Sequence, residues 1–130
     1  MEVRNFRELK VWWNSHRLVL AVYGAIVGFP KEELYGLTSQ VRRAAASVPA
    51  NIAEGWGRNG DAELARFLHI AMGSASELGY HLLLARDLDL LKPPDYEKLL
   101  RDTIEMKRML TAFTQKLRVP NRQQNLIADS

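Results

Sequence analysis

Glu77 and His81 stand four residues apart in a stretch that reads as helix, so a carboxylate and an imidazole share one face. Inside a helical bundle, such a pair raises the question of metal chemistry. A di-iron site takes a Glu from each of two helices and a Glu-x-x-His from each of the other two. This sequence offers the Glu…His pair once, at i, i+4, and neither His16 nor His69 has a Glu three residues before it. That is too few ligands for a cluster. Ser15 beside His16, and Ser74 or Ser76 near His81, are coincidences of a helical chain, and no nucleophile–base arrangement stands out. The chain has no cysteine, which removes disulfides and thiolate metal sites. There is no phosphate loop, because Gly55-x-Gly57 closes a helix and does not follow a strand. The expectation is a protein that is not an enzyme and has no cofactor and no metal.

The remaining chemistry is charge and hydrogen bonding. The formal charge is +3. Residues 1–60 hold eight Lys/Arg against five Asp/Glu, and the rest of the chain balances. Arg7, Lys10 and Arg17 fall at i, i+3 and i+10 on helix 1, and Arg42, Arg43 and Arg58 lie on and after helix 2. These six form the candidate nucleic-acid surface. It would contact phosphates by charge and shape with little base readout. A solvated face with internal ion pairs is the alternative.

A second set of polar residues sits where packing is expected. Gln40, Ser47, Asn51 and Glu54 make one stripe of helix 2, and Ser74, Glu77 and His81 make a seam on helix 3. Buried polar groups without partners cost about 1–3 kcal/mol each. The two rows are therefore expected to bond to one another, with Arg42 or Arg43 pairing Glu77. Gln40, Arg43, Ser47, Asn51, Glu54, Ser74 and Glu77 form the candidate structural network. Pro49 is expected to bend helix 2.

The elements that carry these residues are read from period and punctuation. Helix 1 is expected over about 5–27, stopped by Gly28-Phe29-Pro30. Pro30–Glu33 reads as a short turn. Helix 2 follows Gly36, capped by Thr38 or Ser39, and ends in the run 55–60. Asp61 is expected to cap helix 3, which runs to about Asp87, and helix 4 runs from near Asp95 to near Arg118. Short connections make an antiparallel up-down-up-down four-helix bundle over residues 1–118. Residues 119–130 read as a polar, disordered tail. No apolar run reaches the ~20 residues of a membrane span, and MEVRNFRELK has no apolar signal core, so the expected location is cytoplasmic.

Helix 4 has one clean stripe: Tyr96, Leu99, Thr103, Met106, Leu110, Phe113 and Leu117. Helix 1 is apolar on several sides. Leu9, Trp13, His16, Leu20, Tyr23 and Val27 make one stripe, while Val11, Trp12, Leu18, Val19, Val22 and Ile26 lie elsewhere around it. Such a surplus points to a homo-oligomer. Trp12 and Trp13 point about 100° apart, so one can fill the core and the other lies at the surface or in an interface. Trp12, Trp13 and Tyr23 are the candidate interface residues. Trp56 either lids the bundle end or is an exposed contact.

The order Phe6…Leu9…Trp12, Phe29-Pro30…Glu33…Gly36-Leu37…Gln40…Arg43, Ser47…Asn51-Ile52-Ala53-Glu54-Gly55 and Phe67…Ala71…Gly73-Ser74…Glu77-Leu78 covers residues 5–115. It resembles the four-helix bundle proteins encoded by intervening sequences of bacterial 23S ribosomal RNA genes, the S23 ribosomal protein family. The resemblance implies a homopentamer. It also implies a fold shared with the accessory variability protein of diversity-generating retroelements, a basic pentamer that works with a reverse transcriptase and nucleic acid. Two functions follow as expectations: an oligomer contacting RNA or DNA through charge, or a protein-interaction scaffold such as a reverse-transcriptase accessory subunit. The resemblance supplies no catalytic residue.

Overall fold

The computed structural model of the chain describes residues 5–117. The fold is all-α: four α-helices and no strand among the described residues. The expected tail, residues 119–130, lies outside them, as does Arg118 at the expected end of the last helix.

The chain enters through a 3-10 turn, Phe6–Glu8, whose Asn5 Oδ1 accepts from the Arg7 amide at 3.0 Å. Leu9 is extended (φ −84°, ψ 127°), so helix α1 spans Lys10–Ile26 and begins five residues later than the sequence suggests. The Asn side chain competes for the backbone donors and makes a separate turn. Arg7 therefore leaves the helical row it was expected to share with Lys10 and Arg17.

A second 3-10 turn, Lys31–Glu33, runs into a wide helical turn, Leu34–Thr38, broken at Gly36 (φ −106°, ψ −112°). Helix α2, Ser39–Trp56, continues directly from it. Thr38 is itself helical (φ −55°, ψ −48°) and makes no side-chain cap, which corrects the expected Thr38 or Ser39 cap. An N-cap needs a non-helical residue with free amides ahead of it, and the preceding turn removes that condition. α2 runs through Pro49, which is buried.

Gly60 precedes helix α3, Asp61–Asp87, with φ 89° and ψ 153°, a conformation that glycine enters without a Cβ penalty. Asp61 is the first helical residue, not the cap, and its charge still favours the positive helix start. α3 closes through Asp89 (φ 62°), with the Leu90 amide reaching back to the Ala85 carbonyl at 2.9 Å. Helix α4, Pro93–Leu117, starts on a proline, where the missing N–H would have no helical partner anyway.

The core is one cluster drawn from all four helices. It includes Val22 and Ile26 of α1, Val41, Val48 and Ile52 of α2, Leu64, Leu68, Leu78 and Leu82 of α3, and Leu99, Met106 and Leu110 of α4. α2 packs on α1 and α3, and α4 packs on α3 and α1. Thr103, buried with this cluster, donates to the Leu99 carbonyl at 2.7 Å, which satisfies its hydroxyl within its own helix. Of the two apolar stripes on α1, the one containing Val11, Leu18, Val22 and Ile26 enters the core. Trp13, Leu20, Tyr23 and Val27 face outward.

Candidate functional site

Along the α2–α3 seam, polar side chains meet in two groups. Ser47 Oγ and Ser74 Oγ are 2.8 Å apart, and Asn51 Nδ2 donates to both the Ser47 carbonyl (2.8 Å) and Ser47 Oγ (2.9 Å). One turn earlier on α2, Arg43 donates to Gln40 Oε1 at 3.0 Å and pairs with Glu77 of α3. The same Glu77 oxygen lies 3.1 Å from His81 Nε2. The His81 hydrogen bond, aided by the charge of Arg43, holds the Glu77 carboxyl below the ordinary carboxylate value, against an opposing push from burial. As numbering rises along α2 from Arg43 to Ser47 to Gly55, the partners on α3 fall from Glu77 to Ser74 to Phe67.

Glu54 is a correction. It is exposed and pairs with Arg58 at 2.8 Å, four residues along its own chain, so it does not join the interhelical network. The i, i+4 partner is always within reach, whereas a cross-helix partner must be supplied by register.

The arginines divide by partner. Arg43 is held by Glu77, Arg58 by Glu54, Arg66 by Glu63, Arg86 by Asp87 and Arg108 by Glu105. Arg7, Lys10, Arg17 and Arg42, and Arg101 outside the candidate set, make no ion pair with another described residue. Of the six candidate phosphate contacts, two are thus paired with carboxylates and four have no ion-pair partner among the described residues. Arg42 lies over the Tyr23 ring at 5.5 Å, which ties α2 to the outward stripe of α1. Its Nε and the nearby Thr38 Oγ1 are buried with no hydrogen-bond partner among the described residues.

The start of α1 carries an aromatic cluster that the sequence pattern alone did not assemble. Trp12 and His16 stack with centroids 5.0 Å apart and planes 10° from parallel. Phe6 meets Trp12 edge-on at 4.9 Å, and Trp13 meets Trp12 at 5.2 Å and His16 at 6.0 Å. The signal was present as i, i+3 and i, i+4 spacings of Trp12, Trp13 and His16. Trp12 is half-buried and its ring partners lie within its own chain; Trp13 is 48% exposed and Tyr23 40%. Trp56 packs against the core near Phe113, 6.3 Å between ring centroids.

Concave features are open seams. The groove between α1 and α4, about 430 Å³, is lined by Asn14, Arg17, Lys98, Asp102 and Met109 among others. Among the described residues, no three His, Asp or Glu side chains are grouped so that they could hold a metal ion. No helix among them is long and apolar enough to cross a membrane.

Residues 7–112 match the model of the 23S rRNA-intervening sequence protein family. The chain belongs to that family. A solved structure similar to it is a protein of unknown function from the S23 ribosomal protein family of Bacteroides thetaiotaomicron. The two share 23% identity, with a TM-score of 0.75, over 81% of this chain and 95% of that one. At that identity the likeness shows the fold alone. No curated protein matches. Among its described residues, this member of the 23S rRNA-intervening sequence family thus has four α-helices, a polar α2–α3 seam, and cations of which only some are held in ion pairs.

Proposed function

We propose that the protein is a non-enzymatic, homo-oligomeric nucleic-acid-binding bundle of the cytoplasm. The observation that carries this reading is the division of the cations. Arg7, Lys10, Arg17 and Arg42 make no ion pair among the described residues, and α1 has no Asp or Glu of its own. Phosphates are the ligands such a surface attracts, and the attraction weakens with salt.

Oligomerisation is supported by outward apolar residues that a monomer leaves wet: Leu20, Tyr23 and Val27 of α1, Tyr35 (92% exposed) in the connector, and Ile70 and Tyr80 of α3. The opposed numbering across the α2–α3 seam and the short connections support an up-down-up-down order, and the family resemblance favours five copies. Five copies would carry about +15 of formal charge, and multivalency would raise weak contacts to useful affinity.

Titration of a labelled structured RNA at low salt tests the nucleic-acid part, and absence of binding there removes it. The outward stripe also fits a scaffold for another protein, such as a reverse transcriptase. A reverse-transcriptase gene with a template repeat beside this gene would favour that second reading, and a position inside a ribosomal RNA operon the first.

A further inference from the structure

We propose that the aromatic cluster at the start of α1 is a stacking site for the unpaired bases of single-stranded nucleic acid. Trp13 is the platform, and Lys10 and Arg17 meet the adjoining phosphates. The inference rests on the nucleic-acid reading above and names the form of nucleic acid that this surface takes.

Three observations carry it. First, Trp13 is fixed yet open. Trp12 and His16 brace it at 5.2 and 6.0 Å with planes 75° and 68° away from its own, and nearly half of its surface faces solvent. Neither neighbour lies parallel to it, so neither makes the parallel stack that a base would. Second, helical geometry places Lys10 (i−3) and Arg17 (i+4) beside Trp13 on the surface of α1. Both lack an ion-pair partner among the described residues, and Arg7 sits over the Phe6 ring at 6.0 Å in the same state. Third, α1 contains no carboxylate of its own; Asp102 and Glu105 of α4 line the groove beside Arg17 but make no ion pair with it.

Aromatic rings flanked by cations are what unspecific single-strand binding uses, because every base has a π-face and every nucleotide a phosphate. A duplex offers no base face without unstacking, which costs a few kcal/mol per step. A second copy of this chain is a poorer occupant. Meeting this helix through its own α1, it would have to cover Lys10 and Arg17 with no acid to pair them, and the centres of interfaces are depleted of lysine. The other half of the stripe, Leu20, Tyr23 and Val27, has fewer cations and suits a subunit contact better.

The test uses the full chain with a twelve-nucleotide oligouridine and, separately, a blunt duplex of equal length. Affinity is followed by anisotropy of the labelled strand, and stacking by tryptophan fluorescence. The single strand is expected to quench tryptophan emission and the duplex is not. Trp13→Ala is expected to weaken single-strand binding about 5- to 150-fold, the range for one stacked base. Trp13→Phe, which keeps the ring and guards against a folding defect, retains most of the affinity and loses most of the quench. Wild-type affinity for the single strand in Trp13→Ala overturns the stacking site while leaving the nucleic-acid reading in place. A drop in the solution mass of Trp13→Ala with unchanged strand affinity overturns it in favour of a subunit contact. If neither strand, duplex nor structured RNA binds the wild type at low salt, both readings fall together.

Discussion

Ser47 of α2 and Ser74 of α3 share a hydrogen bond of 2.8 Å between their hydroxyls, and Asn51 donates to the same Ser47 oxygen. The pair lies midway along the seam, one α2 turn from the Arg43–Glu77–His81 group. It fixes which turn of α2 meets which turn of α3. A double-mutant cycle with Ser47→Ala and Ser74→Ala, read by urea unfolding, should give a coupling energy of about 0.5–1.5 kcal/mol. Each single variant leaves the partner hydroxyl wanting. Strict additivity of the two destabilisations would show that the pair does not act as a unit.

The close approach of the two helices has a second signature at Gly55. A Cβ there would fall 2.6 Å from the Phe67 Cβ and 3.1 Å from Leu64 Cδ1. Helix propensity alone would favour alanine by roughly 1 kcal/mol. Overlap with a carbon bonded directly to the α3 backbone, which cannot swing away, should outweigh it, so Gly55→Ala is expected to destabilise by about 1–3 kcal/mol. Gly24→Ala is the control: nothing lies within 4 Å of its Cβ, so the propensity gain should appear as a small rise in Tm. Equal gains for the two variants would contradict the packing described.

Acid should act on the same seam. The folded-state pKa of Glu77 is lowered, first by His81 and then by Arg43, relative to an ordinary value of 4.5. A lowered folded pKa contributes stability that is fully present above the unfolded value and is lost as pH falls through the folded one. Unfolding free energy is therefore expected to decline below about pH 4.5, and Glu77→Gln should flatten part of that decline. Glu63, lowered by Arg66, contributes on the same side, so the flattening is partial. A Glu77→Gln profile parallel to the wild type would contradict the assignment.

How much of this was legible in the sequence depended on how many solutions the pattern allowed. α4 was legible because its apolar residues admit one face, and Tyr96, Leu99, Thr103, Met106 and Leu110 are buried along it. α1 was not, because two of its stripes both satisfy the helical period. Packing selected Val11, Leu18, Val22 and Ile26 and left Trp13, Leu20, Tyr23 and Val27 outside. Arg42 and Arg43 point about 100° apart, and only the register of α2 decides that Arg43 meets Glu77 while Arg42 covers Tyr23. Glu54 was drawn into the stripe by spacing and out of it by the nearer Arg58. The caps at Thr38 and Asp61 failed because the backbone on the N-terminal side was already committed, by a helical turn in one case and by Gly60 in the other.

Tyr23→Glu combined with Leu20→Glu places two charges on an outward stripe that contributes nothing to the core cluster. The variant should keep its helical content and unfold near the wild-type midpoint when diluted to monomer, but sediment as a smaller species. A wild-type mass for the variant would place the subunit interface elsewhere.

Nucleic acid is expected to bind the cations without an ion-pair partner among the described residues, and not the arginines already paired. The most direct test is the salt dependence of structured-RNA affinity for the wild type, for Lys10→Gln/Arg17→Gln/Arg42→Gln and for Arg43→Gln/Arg58→Gln. Removing one cation that neutralises a phosphate should shallow the slope of log K against log salt by about 0.7–0.9. The wild-type slope should be steep, the triple variant's shallower by about two to three units per protomer, and the double variant's changed much less. No measurable binding by the wild type at low salt, or equal slopes for all three proteins, would contradict this expectation.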